Sequence, residues 1–303
     1  MTTNSPSSGV IEGLAAIVTT YRPNDDFVAR FKPLLSVCAR IIVVDNSPDR
    51  HAIGEGQAGF VVFHDGANKG LGRALNMGLA HALRSEFTHA VLFDQDSTPD
   101  CDLVSGLKQL LDRRCADHGP LNCVGPTLLD DSLPATALSA REGVSEDANG
   151  YELVDCLATS GLLINLGALS LNDLFTEDFF LDFVDYEWCW RMGHQGWHFA
   201  RSRTLAMPHR LGLGERKFLG ITYHVPPPFR HYFQFRESIR LVRLGYVPIR
   251  SRLRLLYILP LKLLAYPFLL GHAKERLSWM AKGVIDACRG VRGVGAAEKL
   301  LCR

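Results

Sequence analysis

Four short runs of apolar, largely β-branched residues, each ending in polar side chains, constrain the fold of this 303-residue chain most strongly. They occupy residues 14–18, 41–44, 59–63 and 89–93, and segments with helix or loop character separate them. Continuous apolar runs of this length are typical of strands that are buried in parallel sheets. The pattern predicts an α/β fold with an open, twisted, mostly parallel, Rossmann-like sheet flanked by helices.

The polar residues at the strand ends are the first candidates for function, because ligands of open α/β sheets bind beyond the carboxyl ends of the strands. Two carboxylates one residue apart, Asp94 and Asp96, follow the fourth run directly. Such a pair can hold a hard divalent cation, which in turn neutralises a diphosphate. An isolated pair of this kind is usually a solvated acidic turn. The prediction of a cation site therefore depends on the position of the pair at a strand end.

A glycine-containing loop follows the third run and contains Asn68, Gly70 and Arg73, just before a predicted helix over residues 73–85. Glycine lets the backbone approach a ligand closely, and a helix amino end offers free amide groups to an anion. A plain loop would use the same residues. A nicotinamide-dependent oxidoreductase is disfavoured, because the dinucleotide fingerprint follows the first strand and these glycines follow the third.

The second half of the chain continues the alternation, with predicted strands over residues 123–129, 153–165 and 197–207. A helix is predicted over residues 179–193, where helical spacing would put Asp182 and Asp185 on one face. A carboxylate there could take a proton from an attacking hydroxyl group. A charged helix face with tryptophans packed beneath it is the alternative.

Five motifs, in this order, resemble glycosyltransferase family 2, whose members have the GT-A fold. They are Thr20-Tyr21, Val43-Val44-Asp45-Asn46, Asn68-x-Gly70-x-Gly72-x-Ala74-x-Asn76-x-Gly78, Asp94-Gln95-Asp96-Ser97 and Asp185-x-Glu187-Trp188-Cys189-x-Arg191. The resemblance covers residues 14–240, and within the family it is to bacterial rhamnosyltransferases. It implies an inverting transfer of L-rhamnose from dTDP-L-rhamnose to a saccharide in the biosynthesis of cell-surface polysaccharide, such as the O-antigen of lipopolysaccharide.

The resemblance also implies roles for particular residues. The donor nucleotide would be held by side chains from three strand ends and by the glycine-containing loop, namely Thr20, Tyr21, Asp45, Asn68, Gly70, Arg73, Asp94, Gln95 and Asp96. Mg²⁺ or Mn²⁺ would be bound by Asp96, Asp94 and His209. A lone histidine such as His209 is more often structural, so this ligand depends on the resemblance.

Asp185 would be the catalytic base, and the sugar and acceptor would be contacted by Ser160, Gly161, Glu187, Trp188, Arg230 and Arg236. The two arginines belong to a stretch that resembles the rhamnosyltransferase pattern H-x-P-x-R-x-Y-Y-x-x-R-N only in part. An extra proline lengthens its first half, and Glu237 stands where the pattern has Asn.

The C-terminal residues differ from the rest of the chain in charge. Residues 240–303 contain 13 Lys/Arg and three Asp/Glu, whereas the preceding residues contain 20 and 29. Residues 255–271 are almost wholly apolar, but they are fewer than the roughly 20 residues of a spanning helix and contain Pro260 and Pro267. The composition predicts a helical pair that lies on an anionic membrane surface, and a dimer interface is the alternative.

The sequence therefore predicts a mobile N-terminus over residues 1–13, a GT-A domain over 14–240, and a basic, apolar, helical extension over 241–303. Eight scattered cysteines without a CxxC pair, and the absence of a signal-peptide pattern at the start, predict a reduced cytoplasmic protein at the inner membrane face. The expected partners are a nucleotide sugar and a lipid-linked saccharide acceptor. A homo-oligomer is left open, and no nucleic-acid partner is expected.

Two alternatives remain open at this point. The same fold could use another donor, such as UDP-galactose or UDP-glucose, because the motifs are shared. The chain could also be a catalytically silent, membrane-associated binding protein. The presence of Asp94, Asp96, Asp185 and His209 together disfavours the silent protein, which has no chemical need for all four.

Overall fold

The computed structural model describes residues 9–51, 53–117, 121–130, 150–209, 215–218 and 221–301. Within these ranges, the side chains of residues 113–117, 130, 209, 215–218, 221–224 and 299–300 are not described. The N-terminus that was predicted to be mobile comprises residues 1–13, and residues 1–8 lie outside the described part. Residues 11–13 already belong to the first strand.

One eight-stranded sheet forms the centre of the molecule. Its strands are β1 (Ile11–Thr20), β2 (Cys38–Asp45), β3 (Phe60–His64), β4 (His89–Asp94), β5 (Cys123–Asp130), β6 (Tyr151–Val154), β7 (Leu162–Asn165) and β8 (Phe199–His209). Their spatial order is β3-β2-β1-β4-β7-β5-β8-β6. Only β7 and β6 run antiparallel to their neighbours, so the predicted mostly parallel sheet is confirmed. A second, two-stranded sheet pairs β9 (Glu215–Phe218) with β10 (Ile221–His224).

The helices cover both faces of the large sheet. They are α1 (Phe27–Phe31), α2 (Leu71–Arg84), α3 (Cys101–Asp117), α4 (Val184–His194), α5 (Arg230–Arg243), α6 (Ile249–Leu269), α7 (Ala273–Arg289) and α8 (Glu298–Leu301). Successive side chains of β1 enter different apolar clusters, because side chains alternate across a strand. Val18 lies in the same cluster as Phe31 of α1, and Ile17 lies in the same cluster as Leu79 of α2. This alternation explains the continuous apolar runs.

Three sequence predictions about elements are corrected. Residues 153–165 form two strands, β6 and β7, because the chain turns between them at Gly161, which has a φ of 81°. The helix predicted over residues 179–193 begins only at Val184, after Phe183 with a left-handed φ of 62°. Asp182 therefore lies in the preceding loop and does not share a helix face with Asp185. Between β1 and β2, the short helix α1 continues as a 3-10 helix, Lys32–Ser36, with Pro33 near its start.

The C-terminal helices pack against one another and against the rest of the chain. α5 crosses the predicted domain boundary at residues 240 and 241 without interruption. A Cβ atom on Gly283 of α7 would lie 2.5 Å from the carbonyl oxygen of Tyr232 of α5, so these two helices approach closely. α6 continues through Pro260 and Pro267. Among the residues that the structure describes, no helix has both the length and the apolar character needed to cross a membrane.

Candidate active site at the carboxyl edge of the sheet

The register of three neighbouring strands brings the predicted site residues together. β1 lies between β2 and β4, with Thr20 opposite Asp45 and Thr19 opposite Asp94. Because all three strands are parallel, their carboxyl ends meet at one edge of the sheet. The acidic side chains that end β2 and β4 therefore flank the end of β1.

Asp45 is buried at this edge, with 1% of its surface exposed. Its Oδ1 atom accepts hydrogen bonds from the Thr20 hydroxyl (3.2 Å), the Ser47 hydroxyl (2.5 Å) and the Ser47 amide (3.1 Å). Its Oδ2 atom is buried and has no hydrogen-bond partner among the described residues. An unpaired buried carboxylate oxygen is costly, so this atom indicates a place for a ligand that donates a hydrogen bond.

Gln95 connects the ends of β1 and β4. Its side-chain Oε1 atom accepts a hydrogen bond of 2.7 Å from the Tyr21 amide, and its carbonyl oxygen accepts one of 2.5 Å from Arg30. These contacts give the middle residue of the acidic motif a positioning role, since it fixes the backbone between Asp94 and Asp96. The Tyr21 hydroxyl donates to the Leu301 carbonyl oxygen at 3.2 Å, so α8 also reaches this edge.

Asp94 and Asp96 differ in their surroundings. The Ser160 hydroxyl donates a hydrogen bond to Asp94 Oδ2, and Gly161 donates its amide to the Leu92 carbonyl oxygen at 2.8 Å. Asp96 is exposed to solvent. Ser160 and Gly161, which were predicted to contact the sugar, therefore lie beside the acidic motif.

The two carboxylates are oxygen ligands of the kind that Mg²⁺ and Mn²⁺ bind, so their chemistry fits a divalent cation. His209, the predicted third ligand, ends β8 opposite Asp130, and its side chain lies outside the described part. Within the described residues, no group of three histidine, cysteine or acidic side chains could hold a metal ion. The role of His209 therefore stays a prediction.

Asp185 lies in the first turn of α4, and its Oδ1 atom accepts a hydrogen bond of 2.9 Å from the Tyr186 amide. The pKa of Asp185 is raised to about 6, chiefly by burial and also by the nearby carboxylates of Asp94 and Asp182, against the effect of that hydrogen bond. Asp185 is therefore electrostatically coupled to Asp94 at the end of β4. A carboxylate with this pKa can accept a proton at neutral pH.

Asp182 has cationic partners that come from the C-terminal helices. Arg230 Nε lies 3.0 Å from Asp182 Oδ1, and the positive charge of Lys262 on α6 also acts on this carboxylate. Burial raises the pKa of Asp182, and these two cations oppose the increase. Lys262 was not predicted as a site residue, although a lysine inside an apolar segment was the sequence signal that could have indicated it. The predicted residue Arg230 lies at the site through its ion pair with Asp182.

Glu237 holds the loop that leads to Asp185. Its two carboxylate oxygens accept hydrogen bonds from the amides of Phe180 (2.8 Å) and Asp182 (3.0 Å). It also pairs with Arg236 at 3.0 Å, and both side chains are fully buried. Burial and the nearby Asp182 raise the pKa of Glu237 to about 8, and Arg236 opposes them. The glutamate that departs from the resembled pattern thus positions the loop before α4.

Three predicted acceptor contacts do not agree with the structure, because Glu187, Trp188 and Arg236 are fully buried. Glu187 accepts hydrogen bonds from Arg191 (2.8 Å) and from the Tyr246 hydroxyl (2.6 Å). The Trp188 indole donates to the Asp173 carbonyl oxygen at 2.8 Å. The three side chains are enclosed and bond to neighbouring residues of the protein, so these residues support the site from beneath.

Arg73, which was predicted to bind phosphate, lies beside two acids. Its guanidinium group pairs with Glu177 at 3.1 Å and with Asp65 at 3.6 Å. The phosphate contact of Arg73 stays a prediction.

The first amide groups at the amino end of α2 donate hydrogen bonds to other parts of the protein. The Leu71 amide donates to the Phe180 carbonyl oxygen at 2.8 Å, and the Gly70 amide donates to Asn68 Oδ1 at 3.1 Å. Gly70 has a φ of 95°, and a Cβ atom there would lie 2.8 Å from the Phe180 carbonyl oxygen. Gly70 is required for this packing. Asn68 connects to the end of β2, since its Oδ1 atom also accepts from Asn46 at 2.9 Å.

Comparison with known proteins supports the class that the fold and site indicate. No protein-family model matches the chain. The chain is similar to the dTDP-rhamnosyl transferase RfbF of Shigella flexneri, with 23% identity over 292 residues that cover 92% of this chain and 95% of the relative.

Among solved structures, the chain is similar to GalNAc-T7 with UDP, GalNAc and Mn²⁺, with a TM-score of 0.54 and 13% identity over 89% of this chain. It spans 54% of that longer protein. It is also similar to residues 1–349 of S. aureus TarS in complex with UDP-GlcNAc, with a TM-score of 0.52 and 12% identity over 90% of this chain and 81% of that one.

The protein has the GT-A fold, and the resemblance to GT-A glycosyltransferases that the five motifs predicted is confirmed. Together, the relative and the structural neighbours support a glycosyltransferase.

We expect Glu237→Gln to lower the free energy of unfolding by about 1–3 kcal/mol, because an amide group would place a donor against a backbone amide or Arg236. Urea unfolding of the variant and the wild type measures the difference. Glu275→Gln on α7, where the glutamate side chain is 55% exposed, is the matched control and should leave the midpoint unchanged. Equal midpoints for wild type and Glu237→Gln would contradict the positioning role.

Proposed function

We propose that this protein is an inverting glycosyltransferase that moves L-rhamnose from dTDP-L-rhamnose to a lipid-linked saccharide in cell-surface polysaccharide biosynthesis. The observation that carries the proposal is the buried, unpaired Oδ2 atom of Asp45 at the same sheet edge as Asp94. The similarity to a dTDP-rhamnosyl transferase over almost the whole chain supports the donor.

Asp45 suits a pyrimidine base that has a ring N–H group. An ionised carboxylate accepts hydrogen bonds and cannot donate them. Thymine and uracil both offer an N3–H group that can donate to it. Uracil would fit this contact equally well, so a UDP-sugar such as UDP-galactose or UDP-glucose is the alternative donor. The solved GT-A neighbours that contain UDP or UDP-GlcNAc give that alternative its support.

Asp94, Asp96 and His209 are the residues that we propose for a divalent cation. When bound, Mg²⁺ or Mn²⁺ would neutralise charge on the leaving diphosphate. The Mn²⁺ in the GalNAc-T7 structure supports this proposal. Gln95 would keep the two carboxylates in position through its bond to the Tyr21 amide.

In the proposed reaction, an acceptor hydroxyl oxygen attacks the anomeric carbon while the bond from that carbon to the diphosphate oxygen breaks. Asp185 takes the hydroxyl proton, and dTDP leaves with the bonding electron pair. Attack on the face opposite to the leaving group inverts the anomeric configuration. The raised pKa of Asp185, about 6, suits this base, because the group is ionised at neutral pH and still accepts a proton readily.

We expect Asp45→Asn to weaken binding of dTDP by about 10- to 100-fold, because a hydrogen bond to a charged group contributes about 1.5–3 kcal/mol. The asparagine oxygen can keep the bonds to Thr20 and Ser47, and its amide group then turns a donor toward the base. Calorimetric titration with dTDP and with UDP in the presence of Mg²⁺ measures the effect. The exposed Asp112→Asn on α3 is the control, and equal affinities for all three proteins would refute the nucleoside contact.

We expect Asp185→Asn to reduce transfer by at least about 100-fold, with dTDP affinity unchanged, because the base acts on the acceptor. For the wild type, kcat/KM should fall about tenfold for each pH unit below the Asp185 pKa of about 6, since protonation removes the base. Transfer of radiolabelled sugar measured across this pH range tests both outcomes. Near-normal turnover by Asp185→Asn would move the base elsewhere.

The exposed face of α6 supports our proposal that the protein associates with the inner face of the cell membrane. Apolar residues at helical spacing form a stripe along this helix, and each is at least half exposed, namely Ile249, Leu253, Leu256, Tyr257, Leu264 and Phe268. Arg250 and Arg254 lie on the same helix and would attract an anionic surface. Arg276 of α7 is buried and donates hydrogen bonds to His231 and to the Pro226 carbonyl oxygen, so it does not take part.

We expect Leu264→Glu to reduce binding to vesicles of phosphatidylethanolamine and phosphatidylglycerol by about tenfold, because it removes apolar burial and adds a negative charge. Vesicle co-sedimentation measures the binding. Leu171→Glu changes an equally apolar residue, 52% exposed, outside the stripe and should bind like the wild type. The stripe would instead be a dimer interface if the wild type does not bind vesicles, sediments as a dimer in sedimentation velocity, and dissociates on Leu264→Glu.

A further inference from the structure

We infer that a groove along α4 binds the sugar units of the acceptor that lie beyond the reacting hydroxyl group. This inference rests on the proposed function and deepens it, because it names a second binding region for the saccharide. The groove lies between the carboxyl half of α4, the end of β6 and the start of β8. It is separate from the sheet edge that holds Asp45 and Asp94.

The groove has a volume of about 410 Å³, which falls within the range of small-ligand sites. Two half-buried indoles and several polar side chains line it, including Trp190, Trp197, His194, His198 and Asp155. Gly193 and Gly196 also line it, and a Cβ atom on either would meet no atom closer than 3.9 Å. The two glycines therefore leave the groove open where side chains would otherwise fill it.

A row of aromatic rings connects the groove to the predicted base. The rings of Phe183 and Tyr186 lie 6.1 Å apart, and those of Tyr186 and Trp190 lie 5.4 Å apart. Tyr186 follows Asp185 directly and is 45% exposed. With a rise of 1.5 Å per residue, the helix face from Tyr186 to His194 spans about 12 Å. This row gives a bound chain a continuous path from Asp185 into the groove.

The chemistry of the groove suits an uncharged saccharide. The flat faces of aromatic rings pack against the C–H faces of pyranose rings, and nearby polar groups exchange hydrogen bonds with hydroxyls. The side chains of Asp155, His194 and His198 form no hydrogen bond or ion pair with other residues that the structure describes. These groups are therefore available to a ligand.

Two other kinds of ligand fit the groove less well. A phosphorylated ligand or a nucleic acid needs cations, and no lysine or arginine is among the described residues that line the groove. A lipid chain needs a continuous apolar wall, which the two histidines and Asp155 interrupt. The continuity with Asp185 then favours the acceptor over an unrelated sugar.

Trp190 is the residue that tests the inference. Trp197 also packs against the buried Trp188, with ring centroids 5.6 Å apart, so its removal would disturb the core. Trp190 is half-buried against the same apolar cluster, and its ring lies beside that of Tyr186. Trp190→Ala removes the ring face, Trp190→Phe keeps one, and the exposed Leu171→Ala is a control outside the groove.

The experiment measures binding of the four proteins to an array of mono- to tetrasaccharides built from hexoses, 6-deoxyhexoses and N-acetylhexosamines. The dTDP affinity of each protein is measured in parallel by calorimetry. We expect wild type, Trp190→Phe and Leu171→Ala to retain the same tri- or tetrasaccharides, and Trp190→Ala to bind them at least tenfold more weakly with unchanged dTDP affinity.

Equal retention of these saccharides by Trp190→Ala and wild type would overturn the inference, as would a wild type that retains none of them. If wild type binds dTDP but no saccharide, the groove assignment fails and the proposed donor site stands. If wild type retains saccharides through Trp190 but binds neither dTDP nor UDP, the proposed donor site fails and the groove assignment stands.

Discussion

The buried carboxylate of Glu237 is the interaction on which the geometry of the site depends. It accepts hydrogen bonds from the Phe180 and Asp182 amides and pairs with Arg236, so both of its oxygens have partners. A buried carboxyl group is tolerated when it is hydrogen-bonded in this way. Because the Phe180 carbonyl oxygen in turn accepts from the Leu71 amide, one side chain of α5 holds the loop before α4 and the amino end of α2 together.

This connection makes the C-terminal helices part of the site. α5 carries Arg230 and Glu237, α6 brings Lys262 toward Asp182, and α8 accepts the hydrogen bond from Tyr21. The exposed apolar stripe and Lys262, whose charge acts on Asp182, belong to the same helix, α6. On the proposed function, a saccharide attached to a lipid would then be presented close to Asp185, and the groove along α4 would receive its more distant sugars.

The sequence could predict the strands, their order along the chain and the acidic residues at their ends. Each of these features depends on a pattern within a few neighbouring residues. Apolar runs of four or five residues ending in Thr20, Asp45 and Asp94 indicated a parallel sheet, and parallel strands bring their carboxyl ends to one edge. Asp185 was predicted from its motif and lies in the first turn of a helix, coupled to Asp94. The start of α4 was not predicted, because the left-handed Phe183 leaves no pattern in the sequence.

The sequence by itself determined the fold class and the acidic strand-end residues, since both follow from patterns within a few residues. Only the tertiary structure decided how each polar side chain is used. Gln95 bonds to a residue 74 positions away, and Glu237 bonds to one 57 positions away. Contacts over such separations determine that Glu187 is enclosed and that one oxygen of Asp45 is left unpaired, because they depend on which segments pack together.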